Sequence, residues 1–206
     1  MMNPFSELFK TGPHSFEDIR ESMHQATLFN KEFFSLLIEH HDYLKESIRI
    51  LTDHKSTDLE KQNQLIRFFR LVEMHGKAEE ETLYVHLKQN PVKEARLEGH
   101  GGKDEHDVVF QMEDELLKMG YLTDWNEEID AKARVVATMV KNHLAEEEDR
   151  MFKIAKKNFA ESEMELLRDQ YMAKCHIYID DFKTRSNGNC LNRGPADLSN
   201  LPNFAP

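Results

Sequence analysis

Apolar residues recur at every third or fourth position through most of this sequence, which is the spacing of one face of an α-helix. A chain with so continuous a helical period must pack those faces against one another to form a core. Only 8 Gly and 6 Pro occur among 206 residues, so few positions can interrupt the pattern. The pattern therefore predicts an all-α fold. The first apolar stripe consists of Phe34, Leu37, Leu44, Ile48 and Leu51.

Five long helices are predicted, and their approximate limits follow from start and stop signals between the stripes. The helices cover about residues 30–53, 58–89, 92–119, 125–158 and 161–184. Thr57 and its neighbours mark the start of the second helix, and Asp124 is predicted to cap the fourth. Gly120 closes the third helix, which Gly101 and Gly102 are predicted to interrupt or kink.

Four long helices with short connections are typical of an antiparallel up-down-up-down bundle, with the fifth helix and a short N-terminal helix packed outside it. The sequence then divides into an N-terminal extension (1–29), the bundle (30–158), a C-terminal helix (159–185) and a tail (186–206). The tail is rich in Asn, Pro and Gly, which predicts a loop or a disordered segment. Alternatively, its apolar residues dock on the bundle. These residues are Leu198, Leu201 and Phe204.

Charge and hydropathy exclude several classes of partner. The chain has 27 Lys+Arg against 38 Asp+Glu and a formal net charge of -11, which argues against nucleic acid or an anionic membrane surface. No apolar run approaches the length of about 18 residues that a membrane span needs. The start of the sequence lacks the pattern of a secretory signal, and Cys175 and Cys190 are expected to be reduced thiols. A soluble cytoplasmic protein is therefore expected.

The chain contains 11 His, about twice the number in an average protein of this length. Several of them occur in a repeat. The first predicted helix contains EHHD at 39–42, and the third contains EHD at 105–107. The second contains His75, a run of three Glu and the pair Leu-Tyr, while the fourth contains His143, a run of three Glu and the pair Met-Phe. The sequence is thus two similar helical hairpins in tandem.

This repeat predicts a metal site. A His and a Glu four residues apart lie one turn apart on the same helix face. Each hairpin has such a pair on an apolar stripe, His75 with Glu79 and His143 with Glu147. Buried imidazoles and carboxylates are costly without partners, and a pair of metal ions would remove that cost. Imidazole and bridging carboxylate suit iron or manganese, whereas a closed zinc site commonly uses thiolates.

These motifs resemble the hemerythrin-like (HHE cation-binding) family over about residues 30–158. The resemblance implies a four-helix bundle that holds two iron ions in a non-haem centre, while the donor set also allows manganese. It also implies four terminal histidine ligands and two bridging glutamates. These residues are His41, His75, His106 and His143, with Glu79 and Glu147 as the bridges.

The choice between His40 and His41 is open at this point. His41 shares a stripe with Leu37 and Leu44, and its His-Asp dipeptide aligns with the one at 106–107. A stripe through His40 also meets apolar residues. These are Leu36 and Tyr43.

One departure from the oxygen-carrying members of the family affects the predicted function. Their further histidine, one turn after the third-helix ligand, is here Phe110. The resemblance then implies open coordination positions at both metals. In its four His and two Glu the ligand set is similar to the iron-sulfur-cluster repair branch, although the paired-cysteine domain of that branch does not occur in this sequence.

Three functions are compatible with such a site. The first is a protein that binds or senses a small oxidant, namely O2, NO or peroxide. The second is a redox enzyme that consumes NO or peroxide, or an iron donor for cluster repair. The third is iron storage or a module that metal merely stabilises.

Some nearby residues have more than one interpretation. The segment EGHGGK at 98–103 supplies an extra ligand through His100, forms a gate over the open positions, or is a glycine-rich kink. Tyr43 and Tyr84 either form hydrogen bonds near the site or are ordinary core residues.

Overall fold

The computed structural model describes residues 16–186 of the chain. Every regular element in this range is helical, which confirms the all-α prediction. The predicted tail lies outside the described residues except for Ser186, and so does its docking alternative. The elements are α1 (Phe16–Leu28), α2 (Phe33–Thr52), α3 (Asp58–Glu81), α4 (Leu83–Gln89), α5 (Lys93–Lys118), α6 (Glu127–Glu146), a π-helical turn (Glu147–Met151), α7 (Phe152–Asn158) and α8 (Glu161–Ser186).

The long helices α2, α3, α5 and α6 form a closed ring, as the bundle prediction requires. Helix α2 packs against α3 and α6, α5 packs against α6 and α3, and the short helix α4 lies along α5. Short connections make sequence neighbours into antiparallel neighbours. Large side chains from each long helix fill the middle of the ring. They include Phe34, Leu37, Leu65, Phe68, Leu116 and Val136.

Helices α1 and α8 pack outside this ring. Helix α8 lies across α2 and α3, and α1 contacts α2 and α8. Buried residues of α8 recur every three to four positions, which is the spacing of one helix face, and this face packs against the bundle. This stripe consists of Leu167, Tyr171, Cys175, Ile179 and Phe182. Helix α8 therefore covers the seam between two bundle helices and places its own side chains in the core.

The helix boundaries confirm two of the predicted signals and correct a third. Thr57 caps α3, because its Oγ1 accepts from the Glu60 amide while Glu60 accepts from the amide of Thr57. Gly120 follows α5 with a φ of 82°, a left-handed conformation that glycine adopts without strain. The prediction that Asp124 caps the next helix was wrong. Asn126 does so, and its Oδ1 accepts from two amides of the first turn of α6.

Two predicted helices are irregular near their ends. The helix predicted over 58–89 divides at Thr82, whose backbone leaves the helical region with φ -124° and ψ -86°. The Thr82 hydroxyl donates to the carbonyl of Ala78, an interaction that bends helices. The helix predicted over 125–158 widens into the π-helical turn that begins at Glu147. Such turns occur frequently at functional sites.

The predicted interruption at Gly101 and Gly102 was wrong, because α5 continues through both residues. Gly102 instead permits close packing. A Cβ atom at this position would lie 2.7 Å from Cζ and 2.8 Å from the hydroxyl of Tyr84. Glycine is thus required here for space, and not for a special backbone angle. In the part of the chain that the structure describes, no helix is long and apolar enough to cross a membrane.

We predict that Gly102→Ala lowers the free energy of unfolding by about 1–3 kcal/mol, because the buried ring of Tyr84 must shift to admit the methyl group. Gly101→Ala is the matched control, since a Cβ atom there meets nothing within 4 Å. At that exposed helical position alanine should raise stability by about 0.5–1 kcal/mol. Urea denaturation followed by circular dichroism measures both. Equal effects of the two substitutions would contradict the role of Gly102 in packing.

Candidate metal centre

Four histidines, one from each long helix of the bundle, meet near its axis. They are His41 of α2, His75 of α3, His106 of α5 and His143 of α6, and all are buried. Glu79, one turn beyond His75, lies between them and is 0% exposed. The apolar stripes of the four helices face the axis, so any polar residue on a stripe is brought inward with its neighbours.

The side chains form two adjacent groups with the composition of metal sites. One group consists of His41, His75, Glu79 and Glu147, and the other of Glu79, His106 and His143. Within each group the candidate ligand atoms all lie within 4.8 Å of one another. Glu79 belongs to both groups. The structure therefore brings together all six residues that the sequence pattern pointed to.

The separations between candidate ligand atoms fit a metal ion. Nε2 of His41 lies 3.3 Å from Oε2 of Glu147, and Nε2 of His75 lies 3.2 Å from Oε2 of Glu79. In the second group, the Nε2 atoms of His106 and His143 are 2.9 Å apart. Two bonds of about 2.1 Å at right angles place ligand atoms about 3 Å apart, so these distances match.

Several polar atoms at the centre lack hydrogen-bond partners. Nε2 of His41 and of His75, both carboxylate oxygens of Glu79 and Oε2 of Glu147 are buried and have no hydrogen-bond partner among residues 16–186. Leaving such groups unsatisfied costs about 1–3 kcal/mol each, and more for charged groups. A cation bound between the oxygens and nitrogens would satisfy these atoms together. The donor set therefore fits a bound metal.

Burial and the charges within the cluster shift the pKa values of the two carboxyl groups in opposite directions. Burial, followed by the charge of Glu147, raises the pKa of Glu79 well above its ordinary value. Burial also acts to raise the pKa of Glu147, but the charge of His143 and contact with His41 outweigh it and hold the pKa low. In the metal-free protein Glu147 is thus held in its ionised form, whereas the environment of Glu79 favours the protonated carboxyl. A cation would allow both to ionise.

Each histidine has a second partner at Nδ1, on the side away from the centre. The carboxylate of Glu148 accepts from Nδ1 of His41 at 2.7 Å, and that of Glu80 accepts from Nδ1 of His106 at 3.1 Å. A hydrogen on Nδ1 leaves the lone pair of Nε2 directed inward. Both glutamates directly follow a candidate bridging residue. In each pair of adjacent glutamates, the first faces the centre and the second accepts a hydrogen bond from a histidine of the other hairpin.

The remaining two histidines have different outer partners. Nδ1 of His143 donates to Glu105 at 2.6 Å. Nδ1 of His75 lies 2.7 Å from the hydroxyl of Tyr171, which comes from α8. Tyr171 was not singled out as a site residue in the sequence. Its only signal there was a place on the apolar stripe of the fifth helix, where an ordinary core tyrosine gives the same pattern.

An aromatic ring from each hairpin stacks on one of the four histidines. Tyr84 stacks on His106, with ring centroids 5.3 Å apart, and Phe152 stacks on His41 at 5.6 Å. The two rings differ by one hydroxyl group. The Tyr84 hydroxyl donates to Oε1 of Glu147 at 2.6 Å. The same hydroxyl lies 3.5 Å from Nε2 of His106 and of His143. Of the two interpretations of Tyr84, the structure favours the hydrogen bond near the site.

The structure distinguishes His41 from His40. His40 is buried one position earlier on α2 and belongs to neither group of candidate ligands. Its Nδ1 lies 2.8 Å from the Tyr171 hydroxyl. Burial, together with the charge of His41, lowers the pKa of His40 to about 3, so the ring is neutral. His40 therefore lies beside the cluster, and His41 lies in it.

Other candidates lie away from the centre. His100 is exposed on α5 and belongs to neither group of candidate ligands. The interpretation as an extra ligand was wrong, because only side chains on the inward face of α5 reach the axis of the bundle. Phe110 is next to His106, with ring centroids 6.2 Å apart, and offers no donor atom. Tyr43 is partly buried and stacks on His40 rather than on a candidate ligand.

Comparison with known families agrees with this geometry. A model of the hemerythrin HHE cation-binding domain matches residues 33–155. The chain belongs to this family. The match begins at α2 and ends within α7, so α1 and α8 lie outside it. A search of curated proteins and a search of solved structures found no match. Cation binding by this HHE domain is supported by both the family and the buried His and Glu groups.

We predict that Glu79→Gln stabilises the metal-free protein increasingly as pH rises. The unfolded chain releases the Glu79 proton near its ordinary pKa of 4.5, whereas the folded protein retains it. Each further unit of pH above 4.5 thus costs the wild type up to about 1.4 kcal/mol of stability, until the folded pKa is reached. The glutamine variant has no proton to lose.

Denaturation midpoints of both proteins, measured with a chelator present between pH 4.5 and 8, test this expectation. Glu165→Gln changes an exposed glutamate of α8 and is the matched control. A difference between Glu79→Gln and wild type that stays constant over this pH range would contradict the raised pKa.

Proposed function

We propose that this HHE domain is a non-haem di-iron protein that binds or senses a small oxidant, namely O2, NO or peroxide. The observation that carries this proposal is the pair of adjacent buried groups that share Glu79, in which both oxygens of Glu79, Oε2 of Glu147 and Nε2 of His41 and of His75 have no hydrogen-bond partner among residues 16–186. Under this proposal the terminal ligands and the two bridging carboxylates are His41, His75, His106, His143, Glu79 and Glu147.

The donor set favours iron, with manganese as the alternative. Imidazole and carboxylate are suited to both metals, whereas thiolates are frequent in closed zinc sites. Cys175 is buried on α8 and belongs to neither group of candidate ligands. Two iron ions would supply one-electron redox chemistry and would accept further small ligands. This capacity is what a binding or sensing function requires.

The ligand count leaves room for a small molecule. Each position has two imidazoles and the shared carboxylate of Glu79, and Glu147 belongs to the first group with its Oε2 3.5 Å from Nε2 of His143 in the second. Phe110 contributes no donor, so each position has fewer than the six ligands that iron commonly accepts. The centre is buried, and the rings of Tyr84 and Phe152 stack on two of its histidines. These features favour diatomic ligands and peroxide over larger substrates.

Tyr84 is the residue best placed to act on such a ligand. Its hydroxyl is buried between Glu147 and the two histidines of the second group. Burial, followed by the charge of Glu147, raises the pKa of Tyr84 well above its ordinary value, so the hydroxyl keeps its proton. A neutral phenol can donate a hydrogen bond to a bound anionic or polar ligand. Phe152 cannot do so at the equivalent place.

The first test is anaerobic reconstitution of the metal-free protein with ferrous iron. We expect about two irons per chain, and a visible spectrum that changes on exposure to at least one of O2, NO and peroxide. His143→Ala should lower the iron content, because it removes a ligand from the second group. His54→Ala changes an exposed histidine outside both groups and is the control. Failure to take up iron would refute the proposal.

The same preparation separates the alternative functions. Steady consumption of NO or peroxide with an electron donor would indicate an enzyme. Transfer of iron to a cluster-free acceptor protein would indicate a repair function, as the four-His, two-Glu set also suggests. Iron uptake with a higher melting temperature and no reaction with any oxidant would indicate storage or structural stabilisation. A cytoplasmic location belongs to the proposal as well, and cell fractionation tests it.

We predict that Tyr84→Phe retains the two metals but weakens or slows the reaction with the oxidant about tenfold, because loss of a hydrogen bond at a metal site typically costs 10–100-fold. Stopped-flow absorbance of the reconstituted protein measures this. Tyr178→Phe is the control, since the Tyr178 hydroxyl donates to Glu81 away from the centre. Identical kinetics in Tyr84→Phe and wild type would exclude a direct role for the hydroxyl.

A further inference from the structure

The internal repeat makes the outer partners of the histidines comparable between the two hairpins. The residue after each candidate bridge holds a histidine of the other hairpin: Glu148 accepts from His41, and Glu80 accepts from His106. This half of the arrangement is symmetric. Both contacts lie between an Nδ1 atom and a carboxylate oxygen.

The other half of the arrangement is not symmetric. Glu105 directly precedes His106 and accepts from Nδ1 of His143 at 2.6 Å. The equivalent position in the first hairpin directly precedes His41 and should hold the carboxylate that accepts from His75. That position is His40. An imidazole thus stands where the repeat predicts a carboxylate.

Tyr171 supplies the missing partner from outside the bundle. Its hydroxyl lies 2.7 Å from Nδ1 of His75 and 2.8 Å from Nδ1 of His40, and the residue is fully buried. Cys175, one turn further along α8, contacts the same hydroxyl through its thiol. Helix α8 lies outside the residues that match the family model. This partner is therefore an addition to the HHE domain of this chain.

The hydrogens of this network can be assigned. Ligation through Nε2 requires the hydrogen of His75 on Nδ1, which then donates to the oxygen of Tyr171. The phenol keeps one lone pair and its own hydrogen for His40 and Cys175. All three contacts are satisfied without a charged group. His75 is thus held by a neutral partner, whereas the other three histidines are held by carboxylates.

We propose that Tyr171 is a positioning residue for His75 and makes the two metal positions chemically unequal. An anionic partner raises the basicity of an imidazole ligand more than a neutral phenol does. Both histidines of the second position have anionic partners, whereas the first position has one, on His41. With both glutamates shared as bridges between the two positions, the His41 and His75 position therefore binds metal more weakly. This inference rests on the proposed di-metal function.

Titration of the metal-free, full-length protein with Co²⁺ tests the inference, followed by calorimetry and by visible absorption. We expect two unequal binding steps in the wild type. Tyr171→Phe removes only the hydroxyl and should weaken the weaker step about 10- to 100-fold while leaving the tighter step unchanged. Glu105→Gln should instead weaken the tighter step. Tyr178→Phe, on the same helix, should change neither.

A second variant separates positioning from a general loss of structure. His40→Glu places at position 40 the carboxylate that the repeat predicts there. In the Tyr171→Phe background it should restore the weakened step, which a damaged fold would not allow. If Tyr171→Phe alone does not fold, His40→Glu with Tyr171 intact should still tighten the weaker step.

The outcomes distinguish the two proposals. A wild-type protein that binds no Co²⁺ would overturn the di-metal proposal and this inference with it. Normal two-step binding that Tyr171→Phe leaves unchanged, or weakens equally in both steps, would overturn only the role of Tyr171. Failure of His40→Glu to strengthen the affected step would overturn the claim that position 40 is the carboxylate position of the repeat.

Discussion

Two buried carboxylates, those of Glu79 and Glu147, are the constraint on which the centre of this bundle depends. Both are buried, and three of their four oxygens have no hydrogen-bond partner among the described residues. Carboxylates in such a place are costly unless a cation compensates them. The four histidines that surround them are themselves oriented by outer partners, so that their Nε2 atoms face the carboxylates. The core is thus arranged for a cation, as the HHE family match also indicates.

The tandem repeat explains both the likeness and the difference between the two candidate metal positions. Equivalent residues of the hairpins occupy equivalent places: His75 and His143, Glu79 and Glu147, and the aromatic rings of Tyr84 and Phe152. Two substitutions within the repeat break the symmetry. A hydroxyl occurs on only one of the two stacked rings. A carboxylate, that of Glu105, directly precedes His106, whereas His40 directly precedes His41. The second difference is compensated by Tyr171 of α8, a helix outside the family match.

Local sequence signals predicted some features correctly and failed where long-range packing decides. The capping box at Thr57 and the closing Gly120 depend on neighbouring residues only, and both are confirmed. Gly101 and Gly102 carry the local signal of a break, yet the helix continues, because Gly102 is required by the approach of the Tyr84 ring. The π-helical turn at Glu147 likewise contains no proline or glycine, so no local signal predicts it.

The sequence by itself determined the helical class, the order of the bundle helices and the set of residues on the inward stripes, because these depend on periodicity along one chain. It left the choice between His40 and His41 open, because both residues lie on stripes that contain apolar residues, and the structure then placed His41 in the cluster. Only the tertiary structure decided what holds each histidine. The contact of Tyr171 with His40 and His75 joins residues about a hundred positions apart through the packing of α8 across α2 and α3. No periodic signal encodes such a contact, because it depends on how separate helices are placed against one another.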